Sequence, residues 1–193
     1  STDFSGIDAI LSVSPAYNKP NQEGIYQHFK AISEACPTNI ILYNVPERTS
    51  SNISSNTTLS LANDFDNIIA IKEASGDMEQ IMQILRDKPD NFKVISGDDA
   101  LTLPMIFMGA EGVISVQAMA QPHEFSEMVR QGLLGNVERA RALHFPQLKV
   151  IDHLFAEGNP AGVKACLNIK GVCEEHVRLP LTCISRTRYN QLK

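Results

Sequence analysis

Ile68-Ile69-Ala70-Ile71-Lys72-Glu73-Ala74 is the stretch on which the fold turns. Four consecutive apolar residues, three of them isoleucine, end on a lysine and a glutamate. A short, unbroken, β-branched run suits a strand buried on both faces of a parallel sheet. The polar pair after it marks the strand's C-terminal end, where α/β proteins gather their ligands. Desolvation at such a place disfavours the ammonium form of Lys72, and the free amine can attack a carbonyl. The ordinary alternative is a lysine that snorkels to solvent or pairs with Glu73.

Runs of the same kind lie on either side of it, at Ile7–Val13, Ile40–Asn44, Phe92–Ile95 and Gly112–Val116. Between them the apolar residues follow a helical period. Asn21 is placed to cap a helix carrying Ile25, Phe29 and Ile32, which ends before Pro37. Asp77 caps Met78–Leu85, and Asp98 or Asp99 starts Ala100–Met108. From Gln121 to Lys193 the chain reads as mostly helical: Phe125–Leu133, then Val137–Phe155 interrupted at Pro146, then a helix from Asn159-Pro160 to Ile169 stopped by Gly171. Five βα units followed by a helical region fit either a doubly wound, flavodoxin-like sheet or part of a (β/α)8 barrel.

Composition narrows the class. The chain has 193 residues, a net charge of −5 and 43% hydrophobic residues. That balance offers no basic field for nucleic acid or an anionic membrane surface. No apolar run approaches the roughly 18 residues of a membrane helix, and no charged-then-apolar leader stands before the first strand-like run. The four cysteines, Cys36, Cys166, Cys173 and Cys183, form no Cys-x-x-Cys pair. Their spacing suits neither zinc nor a disulfide framework, and reduced thiols in a cytoplasmic protein are expected. Sequons at Asn52 and Asn56 fall in what reads as a Ser/Asn-rich loop.

The strand ends carry the chemistry. Ile40-Ile41-Leu42-Tyr43-Asn44-Val45-Pro46-Glu47-Arg48-Thr49 puts a phenol at the end of the strand before that of Lys72. A phenol there can relay the protons that imine formation moves, and Arg48 can hold a carboxylate in a bidentate pair. A plain aromatic strand residue and a surface arginine are the ordinary alternative. Ser96-Gly97-Asp98-Asp99 and Gly112-Val113-Ile114-Ser115-Val116 close the fourth and fifth runs, with glycines that admit a small ligand close to the backbone. The aspartates read as helix caps rather than metal ligands.

Taken together, Tyr43-Asn44-Val45-Pro46-x-Arg48-Thr49, Lys72-Glu73-Ala74-Ser75-Gly76-Asp77, Ser96-Gly97-Asp98-Asp99 and Gly109-Ala110-Glu111-Gly112-Val113-Ile114-Ser115 resemble the dihydrodipicolinate synthase / N-acetylneuraminate lyase family. Ser14-Pro15-Ala16-Tyr17-Asn18-Lys19-Pro20 and Asn159-Pro160…Lys164 match as well, so the resemblance spans essentially the whole chain. It implies a TIM-barrel, class I aldolase-type enzyme with no metal or organic cofactor. Lys72 matches the Schiff-base lysine, and Tyr43 the tyrosine that relays protons and binds the pyruvate carboxylate. Tyr17 matches a tyrosine that reaches the neighbouring subunit's site, which implies a homo-oligomer. Arg48 matches the arginine that receives the second substrate's carboxylate, while Gly97 and Ile114 match backbone positions lining the pyruvate site.

The resemblance begins at the family's fourth strand. Residues 1–120 then correspond to strands four to eight of a partial barrel, and residues 121–193 to its final helix and a C-terminal helical region. The family's Gly-Thr-Thr-Gly-Glu loop has no counterpart here, and the first and last runs are expected as apolar edges. Ala16 stands where lysine-inhibited members carry a tyrosine, which puts feedback inhibition in question. The form with Arg48 implies condensation of pyruvate with aspartate-4-semialdehyde on the lysine/diaminopimelate route. The alternatives are cleavage of a sialic or keto-sugar acid, a catalytically inactive truncated piece, and a flavodoxin-like binding domain.

Overall fold

In the computed structural model, residues 3–193 are described. The chain divides into two compact units, one running to Ile114 and the other from Ser115 to Lys193.

The first unit is an α/β layer. Its strands are β1 (Ala9–Val13), β2 (Asn39–Asn44), β3 (Ile68–Glu73), β4 (Lys93–Ser96) and β5 (Gly112–Val113). All neighbours pair in parallel, in the order β1-β2-β3-β4-β5. A doubly wound sheet reverses direction partway and puts a later strand outside the first; this sheet never reverses, so the flavodoxin-like alternative falls. Right-handed crossovers that always step the same way lay every helix on one face.

That face is the core. Ile25 and Phe29 from α1 (Gln22–Ala35), Leu61 from α3 (Ser55–Asp64), Ile81 and Ile84 from α4 (Met78–Asp87) and Met105 from α5 (Thr102–Phe107) form one cluster with Ile40, Leu42, Ile68, Ile71 and Val94 of the strands. Burying each large side chain contributes about 2 kcal/mol before conformational entropy is counted. The opposite face is thinly covered, with Leu11 and Val13 exposed and Tyr43, Lys72 and Ile95 half-buried. A bulge at Ile40/Ile41 absorbs one extra residue of β3. It sets Tyr43 opposite Lys72 and Asn44 opposite Glu73.

The caps at Asn21 and Asp77 form as the sequence predicts, each side chain accepting a backbone N–H three residues on. Elsewhere the structure differs. The segment around Asn56 is not a loop but helix α3, capped by Ser54, whose side chain accepts from Thr57 N–H. Its sequence, SNTTLSLAND, carries little amphipathic signal, because Thr57 and Thr58 fill buried positions beside Leu61. The fifth run shortens to Gly112–Val113. A short helix α2 (Pro46–Thr49) follows β2 directly, with Pro46 in its first turn.

The second unit holds α6 (Gln117–Ala120), α7 (Pro122–Leu133), α8 (Val137–Phe155), α9 (Ala161–Ile169) and α10 (Arg186–Leu192). Pro146 does not interrupt α8, which continues through it. The next residue, buried Gln147, holds α8 in place there, its Nε2 donating to Leu143 O at 2.9 Å and to Glu124 O at 3.4 Å. Residues 171–185 are not helical. Gly171, at φ 72°, stops α9 as its position predicts. Among the described residues, no helix is long and apolar enough to cross a membrane.

Candidate active site

The C-terminal ends of the strands are held together beyond the sheet by a continued ladder. Ser14 N–H donates to Tyr43 O at 3.2 Å, Ala74 N–H to Asn44 O at 2.8 Å, Gly97 N–H to Glu73 O at 2.8 Å, and Ile114 N–H to Ser96 O at 3.0 Å. Each loop therefore leaves its strand in a fixed direction, and one register row runs Val13, Tyr43, Lys72, Ile95, Gly112.

Lys72 lies in the middle of that row. Its Nζ stands 4.4 Å from the centroid of the Tyr43 ring, a cation–π distance. On the other side is Gly97, whose missing side chain makes room for the lysine stem. A Cβ there would lie 3.0 Å from Lys72 Cε, 3.1 Å from Lys72 Cγ and 2.8 Å from Ala74 Cβ. Burial lowers the Lys72 pKa from the ordinary lysine value, and the charge of buried Asp99 partly opposes it. Burial also raises the Tyr43 phenol, against a smaller lowering by the Arg48 charge. The result is an amine biased toward its free form beside a phenol biased toward keeping its proton, a pair suited to carbonyl addition and proton transfer.

Arg48 is exposed but stands on a stiff support. The turn of α2 is closed by Ser50 N–H to Pro46 O at 2.8 Å, with Ser50 in the left-handed region at φ 55°. Thr49 Oγ1 donates to Val45 O and Ser51 O, and Ser51 Oγ lies 3.0 Å from Ser14 Oγ. This ties the arginine's turn to the end of β1.

The structure thus brings Lys72, Tyr43 and Gly97 into contact and sets Arg48 within electrostatic reach of Tyr43. Ile114 is tied by its backbone N–H to Ser96 O, one residue before Gly97, and is 40% exposed. Tyr17 does not join them; it is 93% exposed, in the loop after β1, with its backbone at φ 65°. Neither aspartate caps α5, which starts at Thr102 rather than Ala100 with Leu101 at the cap position and no side-chain bond there; Asp98 Oδ1 instead accepts from Ala100 and Leu101 N–H in the turn before the helix. Asp99, read from sequence as a cap, instead bears on Lys72. Glu73, which the ordinary reading of the sequence pairs with Lys72, faces away from it and is held by Asn44, Ser75 and Gln80.

Replacing Gly97 with alanine is expected to displace the Lys72 stem. Labelling of Lys72 by a small aldehyde and borohydride, followed by peptide mass, should slow about tenfold. Gly112→Ala, in open space one strand over, should leave it unchanged.

The Dihydrodipicolinate synthetase family signature matches residues 1–193. A 4-hydroxy-tetrahydrodipicolinate synthase of Flavobacterium psychrophilum is 54% identical over 98% of this chain and 65% of its own length. That of Azobacteroides pseudotrichonymphae is 53% identical over 99% of this chain and 64% of its own. The chain therefore spans slightly less than two thirds of these relatives. Among solved structures, the dihydrodipicolinate synthase of Aquifex aeolicus superposes with a TM-score of 0.94 at 43% identity, covering 97% of this chain and 64% of that one. A chloride-inhibited dihydrodipicolinate synthase from Acinetobacter baumannii, complexed with pyruvate, does so with 0.93 at 38% identity over the same shares.

Proposed function

The chain belongs to the dihydrodipicolinate synthetase family, and from that premise we propose that it carries the lysine site of a 4-hydroxy-tetrahydrodipicolinate synthase. The observation that carries the reading is the half-buried Lys72 amine at the end of β3, 4.4 Å over the Tyr43 ring. In this reading the free amine adds to the keto carbon of pyruvate and the carbinolamine loses water to give an imine. Loss of a methyl proton yields the enamine, which adds to the aldehyde of aspartate-4-semialdehyde. The substrate's own amine then displaces Lys72 as the ring closes to 4-hydroxy-tetrahydrodipicolinate. Tyr43 moves protons in these steps, and the protonated imine is the electron sink, so no organic cofactor is invoked.

Arg48 receives the semialdehyde carboxylate, a role that suits a guanidinium exposed on a stiff turn. Gly97 and Ile114 line the pyruvate site with backbone. The sheet, which never reverses its winding, supports its being part of a (β/α)8 barrel with the site at the strands' C-terminal ends. Tyr17, aromatic and in solvent, is assigned to contact with a second copy, where it completes the neighbour's site.

The test is substrate competition. The protein is expected to condense pyruvate with aspartate-4-semialdehyde at least about 100-fold faster than it cleaves N-acetylneuraminate, in kcat/KM. Faster cleavage than condensation would overturn the assignment in favour of a sialic-acid lyase.

A further inference from the structure

Behind the row that carries Tyr43 and Lys72 runs a second one, on the helix-covered face. Asn44 and Glu73 directly follow Tyr43 and Lys72 in sequence and are register partners of each other. Both side chains are fully buried. Asn44 Nδ2 donates to both Glu73 carboxylate oxygens, at 3.2 and 3.1 Å, and Ser75 N–H donates to Oε1 at 2.7 Å. Gln80 Nε2 donates to Oε2 at 3.2 Å from α4.

The cluster extends outward. Asn44 Oδ1 accepts Ile53 N–H at 3.0 Å, and Asn44 Nδ2 reaches Asn52 Oδ1 at 2.8 Å. Asn52 Nδ2 in turn donates to Gln80 Oε1 at 2.8 Å. One carboxylate thus joins the ends of two strands, the loop at residues 52–53, the turn after β3 and the start of α4.

As a device for stability this is poor. All the donors to the carboxylate are neutral, and burial raises the Glu73 pKa despite the hydrogen bonds that lower it. A buried charge without a cation costs several kcal/mol that an apolar residue would not. Its placement explains it better. Side chains of adjacent strand residues point to opposite faces. A twist of the backbone at the level of the Asn44–Glu73 pair therefore also turns Tyr43 and Lys72 on the other face. The Ala74 N–H to Asn44 O bond couples the two strand ends at that level.

We propose that the Asn44–Glu73 pair is a positioning device that holds the Lys72 amine against Tyr43, so that Glu73 acts on the reaction through the strand and not by touching substrate. The proposal rests on Lys72 being the reactive amine, so its test has one readout that needs no substrate. That readout is the pH profile of Lys72 labelling by formaldehyde and borohydride, read by peptide mass.

Glu73→Gln leaves one carboxamide NH2 facing the Asn44 and Gln80 donors and should loosen the clamp. Lys72 then slips toward water, and its labelling midpoint moves up by about one pH unit. With pyruvate and semialdehyde, kcat should fall about tenfold while KM for pyruvate changes less than about threefold. The double variant Asn44→Asp with Glu73→Gln restores an acceptor–donor pair across the two strands, though not the bond from Asn44 to Asn52, and should recover part of both losses.

A labelling profile and kcat that stay at the parent values in Glu73→Gln while Tm falls would make the pair merely structural and overturn the proposal. So would a double variant that regains Tm but not kcat or the labelling midpoint. If the parent neither binds pyruvate nor condenses it, the functional reading fails, and the labelling profile still decides whether the pair positions Lys72.

Discussion

Lys72→Arg is expected to eliminate the pyruvate adduct and to lower condensation by at least about 1,000-fold. Arginine keeps the positive charge and can stack on the Tyr43 ring, so the local packing and Tm should change little. It fails in one respect: a guanidinium does not lose its proton in a protein and offers no lone pair to a ketone. The loss then reports the nucleophile and not the charge. Pyruvate and borohydride should add one reduced pyruvyl group to the parent, mapped by mass to the peptide of Lys72, and none to the variant. An adduct of equal yield in Lys72→Arg would move the chemistry to another amine.

The same experiment has a pH dependence whose sign follows from the site. Only the free amine attacks, so trapping rises with pH. Burial lowers the Lys72 pKa below the ordinary lysine value, which brings the rise to lower pH than for an exposed lysine. Asp99 works the other way, so the displacement is the net of two opposed effects. Trapping at Lys72 should therefore reach half its maximum at a lower pH than labelling of a fully solvated lysine in a short peptide.

How much of this was legible in the sequence differs by residue. Lys72 and Tyr43 were, because each ends an apolar run and parallel strands align such ends. The contact between them needed the bulge at Ile40/Ile41, which no local pattern announces. Gly97 reads in the sequence as a glycine that admits a ligand, and nothing local shows it as the space occupied by the Lys72 stem. That contact joins β3 to the loop after β4.

Polar residues misled most. Asn44 and Glu73 sit at strand ends, where polarity reads as the approach of solvent, yet both are buried and satisfied by one another. Helix α3 was missed for a similar reason, since its buried positions are partly threonine. Pro146 misled in the opposite sense. A proline alone signals a break, yet α8 runs on through it, with the following side chain, Gln147, buried and bonded to Leu143 O and Gln117 through packing that no local pattern announces.

In the second unit the largest stability effect is expected at Gly162. It is buried at the second position of α9, and a Cβ there would collide with the carbonyl group of Leu154 near the end of α8. The obstacle is backbone, which no rotamer change can move aside. Alanine must therefore push α9 off α8 and open the cluster of Ala120, Leu154, Val163 and Cys166. Overpacking of this kind costs about 3 kcal/mol or more, which corresponds to roughly 10 °C in Tm for a chain of this size.

Gly158 is the control, four residues earlier and with a different reason to be glycine. Its φ is +91°, and a Cβ there would meet nothing within 4 Å. Alanine at 158 is strained but not obstructed, and should cost about 1 kcal/mol, or about 3 °C. Thermal unfolding of the two single variants separates the causes. A fall in Tm several times larger for Gly162→Ala means that helix contact governs the stability of this unit. Equal, small falls would mean that α9 yields to the added methyl, and that backbone conformation is all either glycine supplies.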